Sequence, residues 1–110
     1  EYNGGNIVST SQDVTFIPTY SGLLVISARG RRSAGSVTDT IMSLSGVSGL
    51  TNTVFSNGVA RGDTDGHVTA AGLATVTAGV TATFNISSSG VTTNRSYVYH
   101  IIPGMGEYTV

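Results

Sequence analysis

The densest polar chemistry in the chain lies in Arg61-Gly62-Asp63-Thr64-Asp65-Gly66-His67. Asp63 and Asp65 alternate ahead of Gly66, as the first ligands of a calcium loop do. Carboxylates two residues apart can converge on a hard cation, and glycine permits the bend. The rest of such a loop is missing, because no acid follows before Glu107. Arg61-Gly62-Asp63 is also the tripeptide that cell-adhesion receptors read, although three residues recur often by chance. Gly and Asp are equally what an exposed turn requires. The turn is the first reading, metal the second and adhesion the third, so Asp63 and Asp65 are weak metal candidates. No cofactor is expected.

Catalysis has little to stand on. A nucleophilic triad needs a Ser, a His and a carboxylate that meet in space, and the 14 Ser have only His67 and His100 to work with. His100 sits in an apolar strand, as a core or interface residue would, and His67 follows a turn. There is no nucleophile elbow and no glycine-rich phosphate loop ahead of a helix. With no Cys and no Lys, thiolate zinc sites, Cys nucleophiles and Schiff-base chemistry are excluded. No catalytic residue is assigned, and the chain is not expected to be an enzyme.

Arg29, Arg31 and Arg32 form the one cationic cluster. Alternation places Arg29 and Arg31 on one face and Arg32 on the other. Such a cluster either keeps a strand end soluble or docks a phosphate, a sialic acid or a carboxylate of a neighbouring protein through forked hydrogen bonds. The formal net charge of -1 provides no overall positive field for nucleic acid, so none is expected as a partner. Asn85-Ile86-Ser87 and Asn94-Arg95-Ser96 fit the glycosylation sequon, which 14 Ser and 16 Thr would generate by chance.

The elements that must position these residues are strands. With 14 Ser, 16 Thr and 15 Gly among 110 residues, the chain is poor in helix formers. At 39% hydrophobic and 10% charged, it is not the composition of a disordered segment. No apolar run approaches a membrane span of about 18 residues. Length predicts one β-sandwich domain over 1–110, with a core at about 13–102 and terminal arms at 1–6 and 103–110. The opening on Glu1 leads us to expect a fragment or a processed product.

Val80, Ala82, Phe84 and Ile86 alternate with Thr81, Thr83, Asn85 and Ser87, one apolar face against one polar face. Val14 and Phe16 begin another strand, stopped by Pro18. Further strands are expected at Leu23 to Ala28, Val37 to Leu44, Leu50 to Ser56, His67 to Val76 and Arg95 to Ile102, with a short one at Ile7 and Val8. Turn signals separate them at Arg29-Gly30, Ser33 to Ser36, Ser45 to Gly49, Asn57-Gly58, Ala78-Gly79 and Ser87 to Gly90. Asn57-Gly58 suits a tight hairpin and, almost as well, an ordinary loop. About eight short strands imply an all-β, antiparallel, two-sheet jelly-roll sandwich.

Two strands break the alternation. Leu23, Leu24, Val25, Ile26 and Ala28 are apolar on both faces. In the last strand Tyr97, Tyr99 and Ile101 point one way, and Val98, His100 and Ile102 the other. A strand apolar on both sides must be covered on both sides. The second cover is either a loop or the tail Glu107 to Val110, or else a partner subunit. The subunit is the expected one, because small domains gain buried surface by association. Tyr97, Tyr99, His100, Ile101 and Ile102 are the expected interface residues.

VTFIPTYSGLLVISARG resembles the opening of trimeric jelly-roll heads of the complement and tumour necrosis factor superfamily, and ATVTAGVTATFNIS resembles the late part of that pattern. SYVYHII stands where the family's last core strand would lie, so the resemblance runs from about Val14 to Ile102. Leu23-Leu24 replace the aromatic that often follows the early Gly, and the usual Phe-Ser-Gly of the final strand is absent. The Ser/Thr/Gly-rich texture looks most like the version of this fold in bacteriophage virion proteins. The resemblance implies a homotrimer at the virion surface, extracellular when released and without membrane insertion. It would be a head decoration protein or a fibre or spike tip, partnered by capsid or tail proteins and by a host receptor or glycan. Arg29, Arg31 and Arg32 would then be the docking residues. The alternative is a carbohydrate- or receptor-binding β-sandwich module of a secreted or surface protein.

Overall fold

The computed structural model describes residues 2–32, 40–60, 67–89 and 92–104. These form nine strands: β1 (Tyr2–Asn6), β2 (Ser11–Phe16), β3 (Gly22–Arg32), β4 (Thr40–Ser48), β5 (Thr51–Ser56), β6 (Gly58–Ala60), β7 (His67–Val76), β8 (Ala82–Ser89) and β9 (Thr92–Pro103). A five-stranded sheet has the order β1-β9-β3-β7-β5, and a four-stranded sheet the order β2-β8-β4-β6. Every pairing is antiparallel.

The pairing is nested. β1 pairs with β9, β2 with β8, β3 with β7 and β4 with β6. One long two-stranded ribbon wrapped around a sandwich gives this order, which is the jelly roll expected from the sequence. β5 lies at the turn of the ribbon and extends the five-stranded sheet beyond β7.

Alternation places the core. Leu24, Ile26 and Ala28 of β3 and Val68, Ala70, Ala74 and Val76 of β7 face inward from one sheet. Val14, Met42, Leu44, Ala82, Phe84 and Ile86 meet them from the other. Four aromatic rings join the layers. Phe16 lies 4.6 Å from Tyr99 between centroids, and Phe84 stands edge-on to Tyr97 at 6.3 Å and to Tyr99 at 5.7 Å. Such offset and edge contacts add to the burial of the rings themselves.

Several boundaries differ from the sequence reading. The expected arm at 1–6 contains β1, which pairs with β9 from Tyr2 opposite His100 to Asn6 opposite Ser96. Ile7 and Val8 follow β1 as a loop; Ile7 is buried and Val8 exposed. Val80 is exposed ahead of β8, in the turn where the Gly79 N–H donates to the Pro18 carbonyl at 2.9 Å. Gly30, Ser45 to Ser48 and Ser87 to Ser89 lie within strands rather than turns. A cross-strand partner decides the state of such residues more than their own β-propensity does.

Asn57-Gly58 forms no hairpin. The chain there leaves β5 of one sheet and enters β6 of the other. A Cβ on Gly58 would collide with the Thr69 carbonyl, so glycine lets the crossing chain pass close to β7. The expected turn at Ser33 to Ser36, the start of the strand expected from Val37, and the tail after Gly104 lie outside the described residues.

Candidate interaction surface

The outward residues of the two sheets differ in kind. On the four-stranded sheet the register aligns Ser11 with Ser87 and Ser43, Asp13 with Asn85 and Ser45, and Thr15 with Thr83 and Ser48. These side chains bond to one another. Thr15 Oγ1 lies 3.0 Å from Thr83 Oγ1, and Asn85 Nδ2 donates to Asp13 Oδ1 at 2.8 Å and to Ser11 Oγ at 3.1 Å. At its β4-β6 edge the same face exposes Ile41 opposite Val59.

On the five-stranded sheet the same bookkeeping gives an apolar half. Ile102 lies opposite Leu23, which lies opposite Thr75; His100 opposite Val25, opposite Leu73, opposite Val54; and Val98 opposite Ser27, opposite Ala71. Val54 is 66% exposed, Leu73 42%, and Val98 and Ile102 37% each. Val25, Val54, Ala71 and Leu73 line a shallow, largely apolar concavity of about 340 Å³. The alternative cover for this face, Glu107 to Val110, lies outside the described residues.

The expected interface set therefore divides. His100 is half-buried and Ile102 exposed on the outward face. Tyr97, Tyr99 and Ile101 point inward and pack against the core; Tyr99 retains 9% of its exposure. The period of two forbids both sets from sharing one face. The sequence reading missed Val54 and Leu73, which join the patch only through the pairing of β5 with β7 and β7 with β3.

Past Ser27 the same face turns cationic. Arg29 lies opposite Ser96 on β9 and Thr69 on β7, and Arg31 opposite His67. Both arginines are exposed on this face, as alternation required, and Arg29 Nε donates to Ser96 Oγ at 3.4 Å. Arg32 ends β3. The register of β3 with β9 slips between Arg29 and Arg31, and a bulge of this kind re-aims the side chains beside it. Arg95 bridges the layers: its Nη1 donates to the Ser9 carbonyl at 3.0 Å and to Ser88 Oγ at 3.1 Å.

Asp63 and Asp65 lie outside the described residues. Among the described residues no three His, Asp or Glu side chains gather as a metal site would require. No protein-family model matches the chain, and no curated protein matches its sequence.

Proposed function

We propose that this chain is a structural module of a bacteriophage particle surface, a jelly-roll protomer that associates into a homotrimer and docks on capsid or tail proteins. The observation that carries the self-association is the inequality of the two outer faces. One is largely a Ser/Thr/Asn/Asp ladder, with Ile41 and Val59 exposed at its β4-β6 edge, and the other presents Leu23, Val25, Val54, Leu73, Val98 and Ile102 in adjacent rows. Contiguous exposed apolar patches mark interaction sites, and identical copies bury such a patch by closed symmetry. The virion assignment is supported by the resemblance of Val14 to Ile102 to trimeric jelly-roll heads and by the nested strand order. The work is binding and cover, without catalysis.

Light scattering at micromolar concentration tests the association. The expected mass is three times that of the 11.2 kDa chain, and a stable monomer overturns it. Electron microscopy of virus particles assembled with and without the protein tests the location. Density lost from the head surface or from a fibre tip is the expected result, and unchanged particles overturn the assignment.

A further inference from the structure

We infer that His100 makes the self-association of this chain pH-dependent, so that the assembly holds above neutrality and comes apart in mild acid. The inference rests on the apolar half of the five-stranded sheet being the contact between copies. His100 stands in the middle of that half. Val25 of β3 lies opposite it, and Leu73 of β7 and Val54 of β5 continue the same row. Val98 and Ile102, each 37% exposed, flank it along β9, and Leu23 lies on the diagonal. His100 is half-buried in the protomer, so a second copy seated on this row takes the imidazole out of water.

Imidazole is the side chain whose charge ordinarily changes between pH 5 and 8. Protonated, it brings a full charge into a contact of aliphatic side chains, where loss of hydration disfavours the charged form. The sign follows from this. Association selects the neutral form, so it is complete above the ordinary titration range of imidazole and is lost as pH falls through that range. An imidazole in water has its midpoint at about 6.5, so at pH 5.5 roughly ten in eleven carry the proton. A closed symmetric assembly contains one His100 per copy, so a trimer meets this cost once in each of its subunits.

The groups around His100 leave the effect to the imidazole. Tyr2 stands opposite it on β1, and a phenol titrates at about pH 10. Val25 faces it from β3. Toward the cationic end the first charged residue on this face is Arg29, opposite Ser96. Ser96 is four residues from His100. That is about 13 Å along the strand, more than a Debye length of about 8 Å at physiological salt. His67 is farther still, opposite Arg31 and exposed. The one carboxylate among the described residues, Asp13, lies on the outer face of the other sheet and is bonded to Asn85. Glu1 and Glu107 lie outside the described residues.

The test is sedimentation velocity over a concentration series at pH 8.0 and pH 5.5, at constant ionic strength, on the parent, His100→Gln and His67→Gln. Exposed carboxylates titrate at about pH 4 and keep their charge at both values. The parent should associate at pH 8.0 and at least tenfold more weakly at pH 5.5. His100→Gln should associate equally at both, because glutamine does not titrate, and His67→Gln should follow the parent. A parent that is monomeric at pH 8.0 overturns the self-association and the switch together. A parent that associates equally at both values, or a His100→Gln variant that keeps the parent's pH dependence, overturns the switch and leaves the self-association standing. Proton NMR of the imidazoles decides the matter even where His100→Gln folds poorly. His100 should titrate at a lower pH in the assembled parent than in Leu73→Asn protomers, whose change lies two strands from the imidazole. Equal midpoints overturn the switch.

Discussion

The rings of Phe84 and Tyr99 meet edge to face, with centroids 5.7 Å apart and planes at 78°, so that β8 of one sheet is pinned to β9 of the other. Phe84 is fully buried and also touches Phe16 and Tyr97. Phe84→Ala should therefore leave a cavity bordered by three rings and cost about 3–5 kcal/mol. Chemical denaturation at fixed protein concentration measures this. A loss below about 1 kcal/mol would mean that Phe84 does not fill the interior and that the register of β8 is wrong.

Gly72 offers a sharper test of packing. It faces inward on β7, and a Cβ there would collide with the ring of Phe55 and approach Leu44 Cδ1 at 3.2 Å. Replacing Gly with Ala in a strand ordinarily gains about 0.5–1 kcal/mol of backbone entropy, whereas overpacking costs about 1–3 kcal/mol. Gly72→Ala should accordingly destabilise the protein by about 1–2 kcal/mol. In a background of Phe55→Leu the penalty should shrink, because the colliding ring is gone and neighbouring sites are not additive. Equal penalties in both backgrounds would show that Phe55 is not the obstacle.

The contrast between β7 and β1 explains what the sequence could reveal. β7 alternates Val68, Ala70, Ala74 and Val76 with exposed residues, a local pattern that points to strand and face together. β1 reads Tyr-Asn-Gly-Gly-Asn, which carries no apolar period and little β-propensity. It is a strand because β9 presents an edge to it, and that edge exists only after the ribbon has wrapped. The interaction surface was legible to the same extent. That β3 and β9 are apolar on both sides could be read along the chain. The addition of Val54 and Leu73, and the approach of His67 to Arg31, depend on register between strands far apart in sequence.

The apolar half of the outer face leads to a prediction that separates assembly from folding. Leu73→Asn with Val98→Asn places two amides on that face, in the strands that flank β3, while leaving every inward residue unchanged. Fully burying a Leu or Val side chain gives about 1.5–3 kcal/mol, and 1.4 kcal/mol is about tenfold in an equilibrium constant. Self-association should weaken by at least tenfold. Far-ultraviolet circular dichroism should be unchanged, apart from the loss of stability that accompanies dissociation. Sedimentation velocity over a concentration series measures the effect, and an unaltered association constant would place the subunit contact elsewhere.

The cationic end of the face is where the proposed docking to a particle can be tested. Arg29 and Arg31 are exposed, and exposed charges contribute little to stability, so Arg29→Gln with Arg31→Gln and Arg32→Gln should leave the melting temperature nearly unchanged. No Lys exists elsewhere in the chain to share the task, and guanidinium forks match carboxylates in pairs. Affinity for particles should therefore fall, most at low salt, where a Debye length of about 30 Å at 0.01 M leaves the attraction unscreened. Association into trimers would multiply a weak contact into a durable one, so the loss should be larger for the assembled protein than for the Leu73→Asn, Val98→Asn protomer. A particle-binding titration of parent and triple variant at 0.01 M and 0.15 M salt measures both effects. Equal binding at both concentrations would remove the arginines from docking and shift attention to the polar ladder of Ser11, Asp13, Asn85 and Ser45 on the opposite sheet.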